Sequence, residues 1–160
     1  MIFHALTLAV SLLLAADPES APTTAPSVPD EVSRVTTPTG LVIIERTSTA
    51  GANVARPGDH VWVHYTGRLE DGTVFDTSLK PRGAGDSVTP FDFVIGKSRV
   101  IDGWHEGIAG MKVGDKRTLI IPASLGYGER GSPPVIPPNA TLIFDVQLVG
   151  LWREEPEETK

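Results

Sequence analysis

An α+β fold is predicted from the sequence, with a curved antiparallel sheet of five or six strands wrapped around one short helix. Three observations carry it. Between residues 40 and 152 the apolar positions mostly alternate with a period of two, the mark of half-buried strands. The stretch 100–111 breaks that rhythm, setting Ile101, Trp104, Ile108 and Met111 at offsets of three, four and three along a helical face. Finally, 16 glycines and 14 prolines among 160 residues favour turns and short strands over long helices. With 40% apolar residues, a chain of this length sustains one core and not two.

In chain order, residues 2–16 form an apolar run interrupted by His4, Thr7 and Ser11, closing on Ala15 and Ala16 before Asp17. The run is short for a membrane span and resembles a secretory signal. Export to a periplasm or the medium is expected, with an uncleaved N-terminal membrane anchor as the alternative. Residues 17–39 carry five prolines and no period that could bury a face, so they read as a disordered linker. Order is expected from Gly40, with Leu41, Val42, Ile43 and Ile44 as a first strand. A turn at Arg56, Pro57, Gly58 and Asp59 precedes a strand over 60–66, whose alternation puts Val61, Val63 and Tyr65 on one face. His60, Trp62 and His64 take the other. Glu70, Asp71, Gly72 and Thr73 form a hairpin-type turn into Val74, Phe75, Asp76 and Thr77.

Residues 79–90 are a loop, and 91–95 alternate again. The helix follows, with Asp102 able to cap it and His105 and Glu106 on its polar side as a solvated pair. Gly103 and Gly107 each cost a helix about 1 kcal/mol, so burial of Trp104 must hold it. Residues 116–123 read as a strand and 124–139 as an irregular segment. In the last strand Leu142, Phe144, Val146 and Leu148 share a face. Residues 153–160 are an acidic tail.

The net charge of −6 sits largely in those flanks: 17–39 carry −3, 153–160 carry −2, and 40–152 only −1. No basic stripe for nucleic acid remains. The absence of cysteine excludes disulfides, thiolate metal sites and cysteine nucleophiles. Residues 126–131 spell G-x-G-x-x-G, but four prolines within 132–138 forbid the helix a dinucleotide fingerprint must open. His60 and His64 have the spacing of a helical zinc pair, yet lie on a strand without a third ligand. No metal and no cofactor is expected.

What remains is an apolar set with few polar tips: Tyr65, Phe75, Asp76, Phe91, Val100, Ile101, Trp104, Tyr127, Ile136 and Phe144. The motifs holding them are V-H-Y-T-G at 63–67, G-T-V-F-D at 72–76, V-I-D-G-W at 100–104, Y-G at 127–128 and I-P-P-N-A-T-L at 136–142. Together, and in this order, they resemble the FKBP-type peptidyl-prolyl cis-trans isomerases over residues 40–152. Thr37, Pro38, Thr39, Gly40 and Leu41 resemble the entry to the domain in exported bacterial members.

That resemblance implies an isomerase acting on X-Pro bonds in unfolded or partly folded proteins. It implies Trp104 as the floor of a pocket, with Tyr65, Phe75, Phe91 and Phe144 as walls and Val100, Ile101, Val135 and Ile136 as rim. The Ile101 N–H would hold a substrate carbonyl, with Asp76 and Tyr127 near the twisted imide. Proline-containing polypeptides and macrolide immunosuppressant-type inhibitors are the implied partners, and a monomer is expected. A non-catalytic module, or a secreted factor, that captures proline segments in the same pocket is the competing reading. Three departures from the family pattern bear on ligand preference: Ser132 where His is common, Arg99 where an acid is common, and a longer 79–90 loop.

Overall fold

The computed structural model describes residues 32–51, 53–80 and 87–154. The segment read as a signal, most of the linker, the middle of the 79–90 loop and most of the acidic tail lie outside them. Among the described residues are seven strands and one α-helix: β1 (Ser33–Thr36), β2 (Val42–Thr47), β3 (His60–Leu69), β4 (Val74–Thr77), β5 (Phe91–Val94), α1 (Asp102–Ile108), β6 (Lys116–Ile121) and β7 (Leu142–Trp152). Two single 3₁₀ turns, Ala123–Leu125 and Gly128–Arg130, fill the run between β6 and β7.

The sheet runs β1-β2-β6-β7-β3-β4, every neighbour antiparallel. Its spine is the pair of longest strands, β3 and β7, paired from Leu69 opposite Leu142 to His60 opposite Trp152 with one register shift between Trp62 and Val63. The far edge of β3 is shared: β5 pairs with His60–Val63 and β4 with Thr66–Arg68. Alternation along β3 and β7 sends Val61, Val63, Leu142, Phe144, Val146 and Leu148 into one core.

The helix closes that core. Trp104 is 4% exposed, while Ile108 and Met111 are fully buried with Leu119 and Ile121 of β6. Burying each such aliphatic side chain stabilises by roughly 1.5–3 kcal/mol, more than the glycines cost. The glycines are there for contact. A Cβ on Gly103 would lie 2.6 Å from Ile121, and one on Gly107 2.6 Å from Leu119, so bare backbone is what lets α1 seat on β6. Arg117 reaches from β6 to donate to the carbonyls of Gly107 and Ala109 at 2.8 and 2.9 Å, satisfying acceptors that the helix end leaves open. Glu45 of β2 holds the same guanidinium.

Several expectations are corrected. Ser33–Thr36 lies inside the segment read as linker but forms a strand on β2, making seven strands where five or six were expected. All four residues are exposed, so edge backbone hydrogen bonds hold the strand and no apolar period betrays it. Asp102 makes no side-chain cap; Ile101 is the N-cap. His105 and Glu106 are not simply solvated: Glu106 accepts from the Thr39 hydroxyl, and both ring nitrogens of His105 are bonded to the turn before the helix.

Candidate active site

Between the helix start, the β3–β4 hairpin and the run after β6 lies a cavity of about 590 Å³. Trp104 is its floor. Four rings pack around the indole, with centroids 4.9 Å away for Tyr65, 5.2 Å for Phe144 and 5.6 Å for Phe91 and Phe93. Three of the four meet it edge to face, the arrangement that aligns ring edges with π faces. Phe75 extends the wall by packing on Phe144 at 5.5 Å. This wall needs Gly67: a Cβ there would fall 2.6 Å from Phe144 and 2.7 Å from Phe75, displacing both rings.

The polar side chains of the lining are Tyr65, Asp76, Arg99, Asp102 and Tyr127. The Tyr65 hydroxyl donates to Asp76 Oδ2 at 2.6 Å, and Thr77 N–H donates to Asp76 Oδ1 at 2.9 Å, fixing the carboxylate at the mouth. Tyr127 stands 42% exposed on the opposite side. The Ile101 N–H, one of the orphan donors at the start of α1, meets no acceptor among the described residues. The Trp104 indole N–H is buried among the rings, also without an oxygen or nitrogen acceptor there. A site of this composition can desolvate a small apolar ring and hold one carbonyl.

Nine residues singled out in the sequence line this one cavity: Tyr65, Phe75, Asp76, Phe91, Val100, Ile101, Trp104, Tyr127 and Phe144. Val135 and Ile136 do not. Val135 is exposed, and Ile136 is buried in the core, bridged to Ser132. Asp102 and Gly126 line the cavity without having been assigned to it, and Arg99, named above only as a departure bearing on ligand preference, lines it too. Arg99 and Asp102 flank Val100 and Ile101, so adjacency in the chain was the available signal. Away from the site, His60 stacks on Trp62 and bonds Asp92, while His64 bonds Ser78. The G-x-G-x-x-G glycines build the turn after β6, where a Cβ on Gly131 would strike the Ile136 carbonyl oxygen.

Residues 51–149 match the family model described as FKBP-type peptidyl-prolyl cis-trans isomerase. The chain is 60% identical over 96 residues to the peptidyl-prolyl cis-trans isomerase FPR2 of Saccharomyces cerevisiae, covering 59% of this chain and 67% of that protein. It is 54% identical over 102 residues to the isomerase FKBP15-2 of Arabidopsis thaliana, covering 64% of this chain and 58% of that one. Human FKBP2 is 52% identical over 99 residues, with 62% and 66% covered. Among solved structures, FkpA from Escherichia coli superposes with a TM-score of 0.65 at 38% identity, covering 77% of this chain and 53% of that chain. The chain thus spans roughly three fifths to two thirds of the length of these curated relatives.

Proposed function

The chain belongs to the FKBP-type peptidyl-prolyl cis-trans isomerase family, and from that premise we propose that its aromatic cavity catalyses rotation about X-Pro bonds in unfolded or partly folded proteins. One observation supports this above the rest: an apolar floor and walls around Trp104, with a free backbone donor at Ile101 on the rim. Rotation about X-Pro is slow because planarity preserves amide resonance, a barrier of about 18–20 kcal/mol. Resonance also makes the planar amide more polar than the twisted one. An aromatic cavity therefore disfavours the planar form more, and that difference lowers the barrier.

In this reading the proline ring rests on Trp104 between Tyr65, Phe75, Phe91 and Phe144. Ile101 N–H holds a carbonyl beyond the proline. Asp76, steadied by Tyr65, and Tyr127 border the twisting imide. No bond is made or broken, so no titrating acid or base takes part. Macrolide immunosuppressants, which place an apolar ring where the proline would go, compete for the cavity. Residues 2–16 direct the protein out of the cytosol, a reading that rests on their apolar run alone. N-terminal sequencing of protein from periplasm or medium checks export, and full-length chain in the membrane fraction would favour the anchor.

The deciding experiment follows isomerisation of a short X-Pro peptide by the purified chain, with and without such a macrolide. Turnover blocked by the macrolide is expected. Binding of the peptide without turnover would replace the enzyme with a capture module.

A further inference from the structure

His105 sits on the helix one residue after the floor tryptophan, but its ring points back to the turn that leads into the rim. Its Nδ1 accepts from Gly96 N–H at 2.8 Å, and its Nε2 lies 3.1 Å from the Ser98 carbonyl. A carbonyl only accepts, so Nε2 carries the proton and Nδ1 offers its lone pair: the neutral imidazole is the form that fits. The Ser98 carbonyl also accepts from Val100 N–H at 3.0 Å. One peptide group is thus gripped by His105 on one side and by the first rim residue on the other. Next in the chain stands Ile101, whose N–H is the free donor of the cavity.

We propose that neutral His105 latches the 96–101 turn and so sets the rim, and that its protonation releases the turn and weakens peptide binding as pH falls. This rests on the isomerase reading of the cavity and adds to it a positioning residue, not a catalytic one. A proton on Nδ1 would set two donors face to face at Gly96. Rotating the ring cannot mend that, because the cation has no acceptor to offer.

The other charged groups of the adjoining segments are Lys97 and Arg99 on the turn, Asp102 and Glu106 on the helix, and Asp92 on β5. None of them is paired with His105; Asp92 is bonded to His60, and Glu106 to Thr39. Phe93, at a centroid distance of 6.0 Å, is the ring beside it.

The test measures KM and kcat of the full chain from pH 8 to 5, on a blocked peptide with no ionising group. Losing one hydrogen bond of ordinary net strength corresponds to a rise in KM of about two- to tenfold at the acid end, with kcat moving less. His105→Gln can still accept from Gly96 and donate to Ser98 but does not ionise, so its KM should be flat with pH. His105→Leu should show the raised KM already at pH 8. A wild-type KM constant over this range, or a His105→Gln variant that keeps the wild-type pH profile, overturns the latch. Absence of turnover at pH 8 defeats the isomerase reading instead; the latch is then judged by the pH dependence of the peptide Kd, read from tryptophan quenching.

Discussion

Trp104 and Tyr127 both line the cavity, yet they stand to lose very different amounts on truncation. Trp104 is 4% exposed and touches four rings, so Trp104→Ala should cost about 3–5 kcal/mol of stability and open the floor to water. Peptide turnover should collapse even where circular dichroism shows a folded protein. Tyr127 is 42% exposed, and Tyr127→Phe removes a single hydroxyl worth about 0.5–1.5 kcal/mol as a hydrogen bond. Turnover should fall by about tenfold or less; a folded but inactive variant would count against desolvation and for proton transfer.

Away from the cavity, two buried aspartates tie acid stability to single residues. Arg153 donates to Asp59 through two nitrogens and, helped by the Arg56 N–H, holds its carboxyl below the usual range against the opposing effect of burial. Burial also pushes Asp115 up, but donation from Thr49 N–H, Lys112 N–H and the Thr49 hydroxyl outweighs it, and the net direction is down. Between the folded and unfolded pKa values the unfolded chain binds more protons, so stability rises with pH there. This stabilisation is fully present above the unfolded value near 3.9 and lost as pH falls through the folded ones. Melting temperature followed from pH 6 to 2 should drop below about pH 4, and Asp59→Asn or Asp115→Asn should each flatten the drop.

At the level of elements, α1 opposes propensity to contact. Gly107→Ala would gain about 1 kcal/mol of helix propensity but press a methyl against Leu119, which is fully buried and cannot yield. Overpacking costs about 1–3 kcal/mol, so the urea midpoint should fall. Gly51→Ala, with nothing within 4 Å of its Cβ, is the control expected to leave it unchanged. The helix face was legible in Trp104 and Ile108, which stand at helical spacing, whereas Ile101 is the N-cap and Met111, though buried in the same core, lies past the end of α1. So was the face of β7, where Leu142, Phe144, Val146 and Leu148 alternate. What closes the helix end was not legible. Arg117 lies ten residues beyond Gly107 and 72 beyond Glu45, and no local pattern marks a strand arginine as a cap for a helix. β1 escaped because exposed edge strands are held by backbone bonds alone. His105 escaped because its partners are main-chain groups, which look the same in any sequence. Val135 and Ile136 came from the resemblance to the family, and a resemblance in sequence does not say which side of a turn the side chains take.

Taken whole, the molecule is closed where its longest strands end. Arg153, just past β7, clamps Asp59 just before β3 and also donates to the Val54 carbonyl. The folded unit therefore includes the first residue of the segment read as an acidic tail. Ending the chain at Trp152 would leave Asp59, 2% exposed, without its guanidinium. Losing one partner of a buried charge pair costs about 3–5 kcal/mol, discounted here because Arg153 is itself partly exposed. The truncated chain should melt at lower temperature at pH 7 and lose part of that difference at pH 3, where a protonated Asp59 no longer needs the cation. The divided edge of β3 has a different consequence. β4 and β5 dock on it independently, each by its own ladder, so the connection between them sets no register. Doubling such a connection costs only about 0.6 kcal/mol in loop closure. The β3 edge therefore has a built-in port for foreign sequence: an epitope, a sensor or an entire second domain could be spliced into the connection between β4 and β5 while both strands keep their places.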